Sequence, residues 1–273
     1  MRLLAHSQSP SKDCPWDKAT SDEATRVIQR TLGFPHKVLE VEAGELFRLD
    51  LLRGLAERLQ DIDSNLPEAL KGGVHTGYHI PRPPSGVWKR AFKENVYSAL
   101  DVRDGNWQRA EVDEQASLSL VLREVELGFV KEWHGTIDQA KEHWTHIAVG
   151  KLGVRKSPGK DARLVLDSTA PGVNNGVTLM GKAFNPTLGD VAETFRIGDD
   201  EVWNGCTLDV KAARKFVNVH PSEQGLLLFR VKGRTFFYQV CHFGGKFSAY
   251  WWSRVAACSS EYSTTPFTLN MGD

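Results

Sequence analysis

The sequence predicts an α+β protein in which helices come first and antiparallel strands follow. Three observations carry that prediction. In the first half, apolar residues recur every three or four positions, as at Leu46, Leu49, Leu52, Leu55 and Leu59, the period of a helix with one buried face. Beyond residue 146 the period changes, and β-rich runs appear at 147–152, 162–167, 226–231 and 235–240. Lys232 and Gly233 stand between the last two runs as a hairpin turn.

In chain order, residues 1–19 are polar, carry Ser, Pro and Lys without period, and are expected to be a disordered lead. Residues 20–112 form a helical N-terminal region. Thr20 and Glu23 make a capping box for a helix ending at Leu32, before Gly33 and Pro35. The leucine stripe predicts a second helix over 43–60, its apolar side either in the core or against a partner helix. Residues 72–86 are rich in Gly and Pro and mark a soft boundary, and 88–100 are a further candidate helix. Residues 113–257 make the mixed region. A helix over 113–129 and a short one over 136–144 precede two strands, 147–152 and 162–167, joined by the basic loop GVRKSPGKD. A short helix follows at 187–195, then a buried strand at 206–210 that ends in Asp209 and turns into a helix at 211–216. After the hairpin, a helix over 246–257 carries Phe247, Trp251 and Val255. Residues 258–273 are expected to be an irregular tail.

The formal net charge of zero hides an asymmetry. Residues 109–142 hold four basic and eight acidic residues, a net of −4. Residues 209–254 hold eight basic and two acidic, a net of +6, and a polyanion is expected there. The four cysteines have no CxxC or zinc-finger spacing, which favours a reducing, intracellular setting over a disulfide framework. No stretch approaches about 18 apolar residues, so no membrane span is expected. His143/His146 and His75/His79 are spaced to share a helix face, but nothing completes a four-ligand set, and ordinary histidines are the default.

Asp209 is the residue that suggests chemistry. In CTLDVKAARKF it ends an apolar strand where a helix begins. A carboxylate there either caps that helix or holds Mg²⁺, which takes one or two protein carboxylates and leaves positions for substrate phosphates. Two-metal phosphoryl transfer needs further carboxylates from other strands.

Four segments in order weigh between these readings: RLVLD (163–167) with Asn174, LDVKAA (208–213), the 226–240 hairpin, and HFGGKFSAY (242–250). Together they resemble a reverse transcriptase of the retrotransposon type, an RNA-directed DNA polymerase, over roughly residues 115–257. LDVKAA resembles motif A of that family, LDLKxAF, and HFGGKFSAY resembles motif B, PFGLxxAP. The resemblance implies a fingers hairpin and a front palm. It implies that Asp209 is the catalytic carboxylate and binds Mg²⁺ with the backbone carbonyl of Val210. Lys151 and Arg163 would touch a triphosphate or the template backbone. Arg214 would stand at the sugar-discriminating position. Gln224 would lie near the template groove, and Gly244 and Gly245 would let the backbone approach the templating pair. The implied partners are an RNA or DNA template-primer and deoxynucleotides.

The sequence departs from the family at several points. No paired-aspartate motif C follows motif B, Asp199-Asp200 precede motif A, Arg214 replaces an aromatic residue, and His242 and Tyr250 replace prolines. The expectation is an incomplete palm, a truncated polymerase fragment inactive alone that retains nucleic-acid binding. The alternatives are an enzyme completed by carboxylates from a partner chain, and a helical adaptor carrying a polymerase remnant.

Overall fold

The computed structural model describes residues 17–33, 47–80, 85, 86, 88, 99–181, 187–189, 210 and 212–264, with side chains unassigned at scattered positions within these and throughout 259–264. The sequence expectations for 1–16, 34–46, most of 88–100, most of 187–195 and the strand 206–209 lie outside the described residues.

The first helix, α1 (Lys18–Leu32), starts two residues before Thr20. Asp17 caps it, its carboxylate accepting from Thr20 N at 2.7 Å, and Gly33 ends it in the left-handed region. Helix α2 (Leu49–Leu59) is shorter than the stripe predicts, because Phe47 and Arg48 are not helical. Leu49 and Ala56 are buried and Leu52 packs on the main core. A short α3 (Leu66–Leu70) follows. Next come α4 (Gln108–Glu111) and α5 (Glu114–Glu126), the latter capped by Asp113. Strand β1 (Val130–Trp133) leads to α6 (Ile137–His143), where Thr136 and Gln139 form a reciprocal capping box.

Strands β2 (Val149–Ser157) and β3 (Lys160–Asp167) form a hairpin longer than expected. The basic segment 153–161 is not an open loop. Pro158-Gly159, with Gly159 at φ +69°, is a two-residue turn, so pairing persists to Ser157↔Lys160. Arg155 and Lys156 are therefore strand residues. A short α7 (Val173–Gly176) follows. The segment after Asp209 makes a 3₁₀ turn at Ala213–Phe216 rather than an α-helix over 211–216. A second 3₁₀ turn, Pro221–Leu227, leads into β4 (Leu228–Val231). β5 (Arg234–Tyr238) returns through Lys232-Gly233, both at positive φ, the mirror-image hairpin turn the sequence predicts. The last helix, α8 (Lys246–Thr264), runs past Ala257, so residues 258–264 are helical rather than irregular.

The sheet order is β1-β5-β4-β2-β3, antiparallel except where Val149 and Gly150 of β2 run parallel to Leu228 and Phe229 of β4. The fold is α+β, with helices and sheet sharing one large apolar cluster. That cluster joins Leu49, Leu66, Leu70, Val74 and Tyr78 of the early region to Phe229, Phe236, Tyr250 and Trp251. The segment at 74–78 is threaded through the later half. Val74 bridges Val219 and Tyr78 bridges Val177, while Trp251 Nε1 donates to the carbonyl of His75 at 2.8 Å.

Candidate nucleic-acid interface

Side chains alternate across a strand, so the β2–β3 hairpin has two unlike faces. Leu152, Val154, Leu164 and Leu166 point into the core. Lys151, Gly153 and Arg155 point the other way, and the register places Asp167, Val165 and Arg163 beside them. Arg155 and Arg163 stand directly opposite, both exposed. Neither they nor the exposed Lys156 has an ion pair or hydrogen bond among the described residues. Like charges facing each other across a ladder repel, a cost that a bound anion would remove. Lys151 is half-buried, its Nζ 5.6 Å from the centre of the Trp107 ring.

The base of this hairpin meets two other segments. Leu166 N donates to the Phe243 carbonyl at 3.0 Å, tying β3 to the turn before α8. Cys241 N donates to the Val217 carbonyl, and Val219 N to that of Gln239, so the chain leaving the first 3₁₀ turn lies along the end of β5. Arg214 stacks over the Phe243 ring at 5.1 Å. Asn174 closes the junction. Its Nδ2 donates to the Gly244 carbonyl and to Thr169 Oγ1, each at 2.8 Å, and its Oδ1 accepts from Lys246 N. Asp167 is spent locally, accepting from Thr169 N and Ala170 N.

Gly244 is the tightest point. Its φ is +108°, and a Cβ there would lie 1.9 Å from the Leu166 carbonyl oxygen. The backbone it lets approach is therefore β3 itself. Gly245 is buried, with a Cβ position 2.8 Å from the Phe247 ring and 2.9 Å from Ser248 Oγ. Next to it, burial pushes the Cys241 thiol up to about 12 and holds the His242 imidazole down at about 4. His242 is stacked on Tyr238. Its Nδ1 lies 3.0 Å from the Phe243 carbonyl and its Nε2 3.3 Å from Ser168 Oγ.

The structure thus brings the Arg163–Asn174, 212–214 and 243–246 segments to one neighbourhood, and Val210 is exposed. Asp209 lies outside the described residues. The Val210 carbonyl accepts from Ala213 N at 3.3 Å, and no group of three or more His, Cys, Asp or Glu side chains among the described residues could hold a metal. Gln224 is elsewhere. It is buried, donates to the Val219 carbonyl at 3.0 Å, and lines an open cavity of ≈ 650 Å³ with Trp133, His143 and Trp144. His75 and His79 share no helix. His75 pairs with Glu223 at 2.5 Å and stacks on His220, and His79 sits at φ +58°.

No family model matches the chain, and no curated protein matches it. One solved structure with a distant similarity is a foamy viral protease-reverse transcriptase in complex with double-stranded DNA. It is 12% identical, with a TM-score of 0.37, and the alignment covers 86% of this chain but 34% of that one. The chain spans about a third of that structure's length.

Four of the eight basic residues in 209–254 pair internally with carboxylates. Lys215 pairs with Glu124, Arg230 with Asp104, Arg234 with Glu132 and Arg254 with Asp63. On the hairpin, Arg155, Lys156 and Arg163 have no such carboxylate partner among the described residues. Sequence reasoning missed Trp107, which is 51% exposed and covers Gly153 on the hairpin's outer face. A lone Trp between polar residues gives no periodic signal.

Proposed function

We propose that this chain binds a nucleic-acid strand through the outer face of its β2–β3 hairpin, as a fingers-and-palm unit of the reverse-transcriptase type. The supporting observation is Arg155 standing opposite Arg163, exposed and without an ion pair among the described residues. Arginine forks onto phosphate oxygens, and two opposed guanidinium groups match adjacent phosphates better than any neutral ligand. The order of the four sequence motifs supports the same reading, as does the meeting of the 163–174, 212–214 and 243–246 segments.

Mg²⁺ bound by Asp209 with the Val210 carbonyl belongs to this proposal, and deoxynucleotides are its implied small-molecule partners. The sequence supplies no second motif of paired carboxylates after Asp209, so the chain alone binds without extending a primer. The test is binding of labelled RNA and DNA strands across a salt series. Affinity should fall steeply with salt, and the double variant Arg155→Gln, Arg163→Gln should flatten the slope by roughly two, about one for each phosphate no longer neutralised. A wild-type chain that binds no nucleic acid at low salt overturns the proposal. Primer extension by the chain alone with Mg²⁺ overturns its inactive part.

A further inference from the structure

Trp107 presents a large apolar ring to solvent in the middle of a charged face. The residues around it hold that ring in place. Trp107 N donates to the Leu152 carbonyl at 3.0 Å. Its neighbour Asn106 accepts from Leu152 N at 2.8 Å and donates through Nδ2 to the Arg230 carbonyl at 2.8 Å. The segment before α4 is thus pinned to β2 and β4 by three hydrogen bonds. Gly153 lies beneath the indole, with a Cβ position 3.5 Å from Trp107 Cδ1. A longer side chain there would displace the ring. Arg155 lies two residues further along the same strand face, about 7 Å away, with Arg163 opposite it.

We propose that Trp107 is a base-stacking residue, on which an unpaired base of a single-stranded nucleic acid lies while Arg155 and Arg163 hold the adjoining phosphates. The inference rests on the nucleic-acid reading above and adds a preference for single strands. A duplex hides its base faces inside the stack, whereas a single strand offers them to an aromatic side chain. The cations beside the ring make a polyanion the complementary occupant. Lys151, 5.6 Å from the ring centre, adds a positive charge next to the stacking surface.

The experiment compares the wild-type chain with Trp107→Ala and Trp107→Phe. Each is titrated with labelled oligo-dT, oligo-rU and a DNA duplex of equal length over a salt series. Trp107→Ala should weaken single-strand binding about tenfold, leave the salt slope unchanged, and leave duplex binding unaffected. Trp107→Phe, which keeps a ring, should retain most of the affinity, and its melting curve controls for folding. If wild type binds and Trp107→Ala binds single strands equally well, the stacking role is wrong while the nucleic-acid reading stands. Equal loss of single-strand and duplex binding overturns the stacking role too. If wild type binds neither, both fall together.

Discussion

Arg254 reaches across 191 residues of chain to a buried carboxylate. Its Nε and Nη2 donate to Asp63 at 2.9 and 2.6 Å, and Nη2 also donates to Asn65. The two side chains are 2% and 3% exposed, and the guanidinium lies 4.7 Å from the centre of the Trp251 ring. This pair fastens the segment after α2 to α8.

Breaking that pair from one side leaves a charge buried without a counter-ion. Arg254→Met should cost roughly 3–5 kcal/mol, and Asp63→Leu a similar amount. The double variant should regain much of the loss. Urea midpoints of the four chains form the cycle, and additive losses would show that the two groups do not act together.

His242 makes stability depend on pH. Unfolded, the imidazole takes a proton near its ordinary 6.5, while burial holds the folded one at about 4, aided by the nearby Lys215 and Arg214 charges. Below 6.5 the unfolded state binds the proton first. His242 therefore withdraws stability as pH falls from 6.5 to about 4, by about 3 kcal/mol in all, and is neutral in effect above 6.5. The difference between urea midpoints at pH 7 and pH 4.5 should shrink in His242→Phe. An unchanged difference would assign the acid sensitivity to other groups.

Two glycines offer an internal contrast. Gly233 sits at φ +72° with nothing within 4 Å of a Cβ, so Gly233→Ala costs only the strain of the left-handed region, about 1 kcal/mol. Gly244→Ala must also push the Leu166 carbonyl aside, and should cost roughly 3 kcal/mol or more. Thermal melts of both variants test the ranking, and equal losses would contradict it.

Asn174→Asp keeps the acceptor for Lys246 N but replaces two donated bonds with a carboxylate facing the Gly244 carbonyl. It should destabilise by roughly 1–3 kcal/mol, and less at low pH where the acid regains a proton to donate. A pH-independent loss would place the damage elsewhere.

The parts of the fold written locally were legible. The short helix expected over 136–144, observed as Ile137–His143, and the Lys232-Gly233 turn appear where their residues predict them, because each needs only neighbours in sequence. Thr20 failed as a cap because Asp17, three residues earlier, took the role. The basic segment 153–161 reads as a loop in sequence because Pro158-Gly159 looks like a break, whereas two residues suffice to turn a paired ladder. Charge counting takes no account of pairing. Lys215, Arg230, Arg234 and Arg254 find carboxylates at 124, 104, 132 and 63, pairings that only the fold creates. Trp107 gave no signal because its importance lies in Gly153, far along the chain and bare of a side chain.

Strand β2 has nine residues, yet only Val149 and Gly150 register with β4. The hairpin is therefore a cantilever. Its root is clamped in the sheet and packed by α4, and among the described residues its cationic tip pairs with β3 alone. Load applied at Arg155 and Arg163 is transmitted to that root, where Gly150 leaves no room for a Cβ against the Asp167 carbonyl. Amide exchange should quicken steadily from Val149 toward Ser157, and an anion straddling the tip should damp that gradient from the free end inward.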